Sequence, residues 1–173
     1  AISWANTKLY QLRVAKDLGL KIPRSVATND PVKARTFIES CGGRVVVKPF
    51  TANVIEYGKQ NLATVYTSRV TQEDLKHLET VRYGITFLQE EIVKKQDLRI
   101  TVFGNDVFAA SVDSQLDPNL EIDWRRMTSR TRTWRHHDLP EEIAEKCRSL
   151  VGRLGLKFGA IDFAHTPDDE YVF

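Results

Sequence analysis

The chain has 173 residues, of which 42% are hydrophobic and 28% charged, and its formal net charge is +2. This composition is typical of a soluble globular protein, and the small charge argues against nucleic acid as the main partner. The sequence contains no apolar run of membrane-spanning length and no signal-peptide pattern, so we expect a cytoplasmic protein without a membrane partner. Cys41 and Cys147 lie far apart in the sequence, which predicts two free thiols.

The first half of the chain shows alternating helix and strand signals. Asn6 and Asp30 are typical helix N-caps, glycines end the two helices that follow them, and Thr71 forms a capping box with Asp74. The apolar run that ends at Lys48 predicts a strand buried on both faces. The predicted elements are helices at 7–18 and 31–41, strands at 25–27, 45–48 and 63–67, a polar loop at 51–61, and a short helix after Thr71.

The centre of the chain consists of two strand patterns joined by a short polar link. The first pattern ends in the paired carboxylates Glu90 and Glu91, and the second alternates apolar side chains with Arg99 and Thr101. A tight hairpin is expected at 104–105. The later elements are a strand at 107–112, an irregular arginine-rich segment at 113–135, a helix at 140–154 and a strand at 158–164. This alternation of helices and strands, with a hairpin, predicts an α+β protein.

Three charged residues occupy positions where a charge needs a partner. Lys48 ends an apolar strand, so its ammonium group requires an anion, either in a structural salt bridge or on a phosphate. Lys8 lies in the first turn of a helix, where backbone amides favour anions; a solvated surface charge is the alternative. Asp162 interrupts a small, apolar strand and must accept hydrogen bonds or bind a cation. Mg²⁺ takes one or two carboxylates together with phosphate oxygens, which fits an isolated aspartate.

One basic cluster combines arginines with tryptophans. Its members are Trp124, Arg125, Arg126, Arg130, Arg132, Trp134 and Arg135. The cluster is compatible with a nucleic-acid patch, with a site that grips carboxylates bidentately, or with a solvated loop. The sequence lacks a P-loop and a dinucleotide-binding glycine pattern. It also lacks a nucleophile elbow, so it gives no support for nucleophilic catalysis.

The order of several short motifs resembles the ATP-grasp ligase superfamily. These motifs are the helix 6–12 that leads to 19–23, Val47-Lys48-Pro49-Phe50, Leu88-Gln89-Glu90-Glu91-Ile92, Asp97-Leu98-Arg99 and the segment 154–163. Further motifs look like those of the microviridin-type graspetide macrocyclases, namely Lys48-Pro49-Phe50, Ser114-Gln115 and Asp123-Trp124-Arg125. Those enzymes use ATP to activate Asp or Glu side chains of a ribosomal precursor peptide, and then close esters or amides.

The resemblance implies a role for each residue that matches a family motif. By that similarity, Lys8 and Lys48 would contact the ATP phosphates, Glu90, Glu91 and Ile92 would line the adenine pocket, and Asp97 would bind the ribose hydroxyls. Asp162 would bind Mg²⁺, Arg125 with Asp123 beside it would hold the substrate carboxylate, and Arg99 would face the phosphoryl group.

The resemblance also implies an ATP-grasp fold of two small α+β lobes with the nucleotide between their sheets. We expect breaks between the lobes near 43–45 and after the second hairpin. Because the family continues past the position of Phe173 with a Glu-x-Asn metal-binding pattern, 1–173 would be a partial ATP-grasp domain, truncated at both ends. An N-terminal domain and a C-terminal metal-binding segment would be missing. We therefore expect these 173 residues alone to bind Mg²⁺ weakly and to be inactive.

The implied function is the ATP-dependent conversion of an acidic precursor peptide into ester or amide macrocycles. A ligase that adds free amino acids to a peptide or protein is the alternative among enzymes. A non-catalytic module that binds acidic peptide or RNA through the arginine–tryptophan segment is the alternative from another class. The sequence leaves the oligomeric state open, with a homodimer as one option.

Overall fold

The computed structural model describes residues 2–50, 54–57, 61–117, 120–126 and 133–173. The helices are α1 (Ile2–Ala5), α2 (Lys8–Asp17), α3 (Pro31–Ser40), α4 (Gln72–Lys76) and α5 (Glu141–Arg153). The strands are β1 (Ser25–Thr28), β2 (Val45–Lys48), β3 (Val54–Tyr57), β4 (Asn61–Thr64), β5 (Ser68–Arg69), β6 (Thr86–Glu90), β7 (Gln96–Phe103), β8 (Asp106–Val112), β9 (Arg135–His136), β10 (Phe158–His165) and β11 (Tyr171–Val172). Short 3₁₀ helices cover Leu78–Tyr83, Ser114–Leu116 and Trp124–Arg126.

Two compact units divide the chain. Unit 1 comprises Ala1–Ile22 and Ile92–Phe173, whereas unit 2 comprises Pro23–Glu91. The chain therefore begins in unit 1, forms the whole of unit 2 as an insertion, and returns to unit 1 through the polar link between β6 and β7.

Unit 2 is built on a four-stranded antiparallel sheet with the strand order β1-β6-β2-β5. Helix α3 packs on this sheet because Ala34 and Ile38 share a buried cluster with Val45 and Leu88. Asp30 caps α3 by accepting hydrogen bonds from the backbone N–H groups of residues 32 and 33. Strands β3 and β4 form a separate two-stranded antiparallel sheet.

Unit 1 contains a five-stranded antiparallel sheet with the order β11-β10-β7-β8-β9. Leu98, Ile100 and Val102 of β7 are almost completely buried and share one core with side chains of α2 and α5. Because successive side chains of a strand point to opposite faces, Arg99 and Thr101 lie on the other face of the sheet, which we call the outer face. This outer face carries several of the residues predicted to bind ligands.

Local sequence signals predicted several elements correctly. The capping box of Thr71 and Asp74 is present at the start of α4. The hairpin between β7 and β8 turns at Gly104, whose φ of 58° is a conformation that glycine adopts without strain. The amphipathic pattern at 140–154 forms α5, which buries Cys147, Leu150 and Val151. The predicted α+β class is confirmed.

The predicted positions of the breaks between lobes are wrong. The units separate between Ile22 and Pro23 and between Glu91 and Ile92, not near 43–45 or after the second hairpin. The physical reason is strand pairing: β6 lies between β1 and β2 in one sheet, so the segments on both sides of 43–45 belong to unit 2.

Two strand predictions in unit 2 are also corrected. Of the predicted strand at 63–67, only 63–64 lie in a strand, β4, and β5 begins after it at Ser68. The predicted polar loop at 51–61 contains β3, which pairs with β4. The polar composition of this segment concealed its hairpin. The remaining parts of this predicted loop, 51–53 and 58–60, lie outside the described residues. Within the part of the chain that the structure describes, no helix is long and apolar enough to cross a membrane.

Candidate functional site

The paired glutamates at the end of β6 are each held by an arginine. Arg24 donates from Nε to Glu90 Oε2 at 3.0 Å and from Nη2 to Oε1 at 3.1 Å, and this hydrogen bonding lowers the pKa of the Glu90 carboxyl. Arg69 donates from Nη2 to Glu91 Oε1 at 2.7 Å. Both carboxylates are partly exposed, so a ligand can reach them where the chain leaves unit 2. Ile92, the next residue, is half-buried.

Lys48 belongs to the same sheet as the glutamates. It is half-buried at the end of β2, opposite Phe87 of β6. Glu90 lies opposite Val45, at the other end of the β2–β6 pair. Successive side chains of a strand alternate between the two faces, so Lys48, three residues from Val45, points to the face opposite that of Val45 and Glu90. The pairing of β2 with β6 therefore places Lys48 and Glu90 at opposite ends and on opposite faces of the unit 2 sheet.

Asp97, at the start of β7, is buried and held from two sides. Lys94 donates from Nζ to Asp97 Oδ1 at 2.8 Å, and Ser114, which is fully buried, donates from its hydroxyl to Oδ2. Burial raises the pKa of the Asp97 carboxyl, against the opposing influence of Lys94 and Ser114. Each carboxylate oxygen accepts more than one hydrogen bond, so these partners leave Asp97 capable of accepting from a hydroxyl.

Arg99 and Asp162 form an ion pair on the outer face of the unit 1 sheet. They lie directly opposite each other on β7 and β10, with 2.8 Å between Arg99 Nη1 and Asp162 Oδ1. Asp162 is exposed and accepts a hydrogen bond from Arg99, one of the partners that the sequence predicted for a carboxylate in an apolar strand. The period-2 alternation of β10 explains the exposure, because it sends the apolar neighbours Ile161 and Phe163 into the core on the other face.

Asp123 has the least exposed carboxylate of these ion pairs, and its partner is Arg125. Arg125 donates from Nε and Nη2 to the two carboxylate oxygens of Asp123 at 2.7 and 2.6 Å, and the Asp123 side chain is only 3% exposed. Lys8 of α2 is half-buried, and burial together with the positive charge of Arg125 lowers the pKa of its ammonium group. The charges of Lys8 and Arg125 therefore influence each other, while Asp123 pairs with the guanidinium of Arg125.

The ion pair between Asp162 and Arg99 supports the fit of Mg²⁺, because it shows that the Asp162 carboxylate already binds a positive group. A guanidinium lies against its carboxylate, so this position attracts a cation. Among the described residues, no group of three or more His, Cys, Asp or Glu side chains is arranged to hold a metal ion. A single carboxylate holds Mg²⁺ weakly unless phosphate oxygens complete the coordination. Asp162 therefore fits a metal that arrives together with a nucleotide.

The structure adds partners that sequence reasoning missed. Ser114 was part of a motif without an assigned role, and its contact with Asp97 connects two segments of unit 1. Lys94 lies three residues before Asp97, a spacing that could have suggested the pair. Arg24 lies 66 residues from Glu90, and no local signal indicated that contact. Burial raises the pKa of the Cys147 thiol to about 12, which agrees with the absence of a predicted catalytic cysteine.

The chain is similar to solved ATP-grasp ligases. It is 38% identical to the macrocyclase MdnC from Microcystis aeruginosa MRC, solved with its precursor peptide MdnA; the match has a TM-score of 0.82 and covers 98% of this chain and 52% of that one. It is 35% identical to a RiPP-associated ATP-grasp ligase from Chryseobacterium gregarium, solved with ADP and a leader and core peptide, with a TM-score of 0.89 and coverage of 98% and 50%.

A more distant match supports the fold alone. The ATP-grasp ligase PsnB, solved with a minimal precursor, Mg and ADP, is 23% identical, with a TM-score of 0.70 and coverage of 98% of this chain and 48% of that one. The chain thus spans about half the length of the structures it matches. No family model matches the sequence, and a search of curated proteins found no significant match.

Proposed function

Because this chain is similar to ATP-grasp ligases of ribosomal peptide maturation over 98% of its length, we propose that it belongs to that family and is part of an enzyme that uses ATP to cyclise an acidic precursor peptide. The observation that carries the proposal is the similarity to a precursor-bound macrocyclase over 98% of the chain. The ion pairs of the candidate site support the proposal, because their guanidinium groups suit phosphate and carboxylate groups and the Asp162 carboxylate suits a metal ion.

The reaction follows from the weakness of a carboxylate as an acyl donor. An oxygen of a peptide Asp or Glu side chain attacks the γ-phosphorus of ATP, the bond to the β–γ bridging oxygen breaks, and ADP leaves. A Ser or Thr hydroxyl, or a Lys amine, of the same peptide then attacks the acyl carbon. That group loses its proton and phosphate leaves, so the peptide loses one water molecule. The protein needs to position these groups and to neutralise charge.

Three sets of residues in this chain are proposed to bind the phosphates, the adenine and the ribose of the nucleotide. Lys8 and Lys48 contact phosphates, and Glu90, Glu91 and Ile92 line the adenine site. Asp97 accepts from the ribose hydroxyls, held in place by Lys94 and Ser114. The arginine on each glutamate is half-exposed, so a ligand can rearrange these contacts at modest cost.

The remaining residues are proposed to act on the reacting groups. Asp162 binds Mg²⁺, which when bound neutralises phosphate charge. Arg125 receives the peptide carboxylate: its guanidinium is oriented by the bidentate contact with Asp123, and a guanidinium has five N–H donors. Arg99 faces the transferring phosphoryl group. We also propose a cytoplasmic location, and a homodimer is one oligomeric state to test.

The experiment combines the full-length protein with ATP and acidic peptides encoded at its own locus. Release of ADP with loss of one water from a peptide is expected, and the absence of both from every such peptide would refute the proposal. A gain in peptide mass would indicate a ligase that adds free amino acids.

Lys48→Ala should abolish ATP-dependent peptide capture. ATP-independent binding that weakens with salt, and is lost when Arg125, Arg130 and Arg132 are neutralised, would indicate a binding module instead.

A further inference from the structure

Arg99 is held by two contacts on the outer face of unit 1. Its guanidinium pairs with Asp162 across neighbouring strands, and the central carbon of the same group lies 5.7 Å from the ring centroid of Trp124. The side chains of Arg99 and Asp162 are 39% and 46% exposed, so their ion pair can exchange with ions from solution.

Trp124 is a fixed support for this arginine. Its ring packs edge to face against the ring of Trp134, with 5.1 Å between the ring centroids. Both rings pack against the buried residues Val112 and Leu120. A guanidinium over a tryptophan face is attracted by the ring even without a carboxylate. Arg99 therefore keeps one favourable contact if it leaves Asp162.

We propose that Arg99 occupies the cation position of Asp162 in the metal-free protein and that the divalent cation displaces it. This inference rests on the metal-binding role proposed for Asp162. The cation and the guanidinium compete because both bind through the carboxylate oxygens, and Oδ1 accepts directly from Arg99. Once displaced, the guanidinium keeps its contact with the ring of Trp124.

The competition makes metal binding depend on the nucleotide. Mg²⁺ on a single carboxylate is held weakly, and Arg99 weakens it further by occupying the ligand atoms. Phosphate oxygens add ligands to the metal and negative charge for Arg99, so the nucleotide stabilises both the bound metal and the displaced arginine. Arg99 thereby disfavours a metal-loaded site that lacks nucleotide.

The test measures Mn²⁺ affinity of the full-length protein without nucleotide, from the electron paramagnetic resonance signal of unbound Mn²⁺. Arg99→Gln removes the competitor and should tighten Mn²⁺ binding about two- to fivefold, as expected for a half-exposed ion pair. Arg99→Lys should restore an affinity close to that of the wild type, because a cation again pairs with Asp162. Asp162→Asn should abolish binding at this site.

Arg126→Gln is the matched control, because it removes one positive charge from the 3₁₀ helix that carries Trp124 without touching the Arg99–Asp162 pair. It should leave Mn²⁺ affinity nearly unchanged. An equal tightening of Mn²⁺ binding in Arg99→Gln and Arg126→Gln would contradict the proposed displacement and indicate a general charge effect.

If Asp162→Asn abolishes binding but Arg99→Gln does not tighten it, the proposed displacement of Arg99 is wrong and the proposed metal-binding role of Asp162 is kept. If Asp162→Asn has no effect, the proposed metal role fails as well. Circular dichroism of each variant verifies folding.

Discussion

The acidic residues on the two sides of the link between β6 and β7 are held in different ways. On the unit 2 side, Glu90 and Glu91 remain partly exposed and pair with arginines from distant segments. On the unit 1 side, Asp97 and Asp123 are buried, and their partners Lys94 and Arg125 come from nearby in the sequence. A ligand can therefore replace the arginine contacts of the exposed carboxylates. The buried carboxylates, by contrast, are held in place by their own partners.

This difference has an energetic basis. A partly exposed ion pair is solvated before and after it breaks, so its loss costs little. A buried carboxylate cannot regain water, so loss of its partner leaves a charge without compensation. Asp97 and Asp123 are accordingly suited to orient other groups, whereas Glu90 and Glu91 are suited to exchange an arginine for a ligand.

The largest expected effect is that of Asp97→Ala. This substitution leaves the Lys94 ammonium, whose side chain is 11% exposed, without its carboxylate. We expect the free energy of unfolding to fall by about 3 kcal/mol or more, measured by urea denaturation. Asp162→Ala is the control, because its ion pair with Arg99 is half-exposed and should cost less than about 1 kcal/mol. Equal losses in the two variants would contradict the distinction by burial.

A smaller effect is expected for Ser114→Ala. The Ser114 hydroxyl is fully buried and donates to the Asp97 carboxylate. Because a hydrogen bond to a charged group contributes about 1.5–3 kcal/mol, the free energy of unfolding should fall by an amount in that range. Ser149→Ala, at an exposed position of α5, should change it by less than about 0.5 kcal/mol. A Ser114 variant as stable as the Ser149 variant would show that this hydroxyl does not hold Asp97.

Breaking the Glu91–Arg69 pair should cost less again. The carboxylate is partly exposed, so Glu91→Gln should lower the free energy of unfolding by less than about 1 kcal/mol, and added salt should reduce the difference. A double-mutant cycle with Arg69→Gln measures the coupling between the two side chains. A coupling as large as the loss seen for Asp97→Ala would place Glu91 with the buried aspartates and remove the contrast between the units.

Local sequence signals predicted individual elements of this molecule correctly, but they did not predict which distant strands pair. The capping box at Thr71, the turn at Gly104 and the alternation that puts Arg99 on the outer face each depend on residues close in sequence. The boundaries of the units depend on β6 lying between β1 and β2, which are far from it along the chain. Sequence patterns of one strand do not specify which strand it pairs with, so the predicted breaks were wrong.

The candidate site shows the same division. The residue types of Asp162 and Arg99 could be singled out from the sequence, but not their contact, which joins positions 63 residues apart. The arginines that hold Glu90 and Glu91 were missed for the same reason. By contrast, Asp123 and Arg125 are two residues apart and were recognised together, and the structure places them in a bidentate ion pair.

The contrast between Glu90 and Asp97 also predicts opposite responses to acid. The pKa of Glu90 is lowered from its ordinary 4.5, chiefly by the hydrogen bond from Arg24, so its stabilising contribution is present above pH 4.5 and is lost as the pH falls through the lowered pKa. The pKa of Asp97 is raised from its ordinary 3.8, chiefly by burial. Its contribution is complete below pH 3.8 and is lost as the pH rises through the raised pKa.

Glu90→Gln should therefore reduce the loss of stability on acidification, whereas Asp97→Asn should increase it. Free energies of unfolding measured by urea denaturation between about pH 6 and pH 3 give the two slopes. Each variant is compared with the wild type at the same pH, so the constant effect of each substitution cancels and only the titration of the replaced group remains. Slopes that change in the same direction would mean that burial does not outweigh Lys94 and Ser114 at Asp97. In that case the carboxylates on both sides of the link would respond to protons alike.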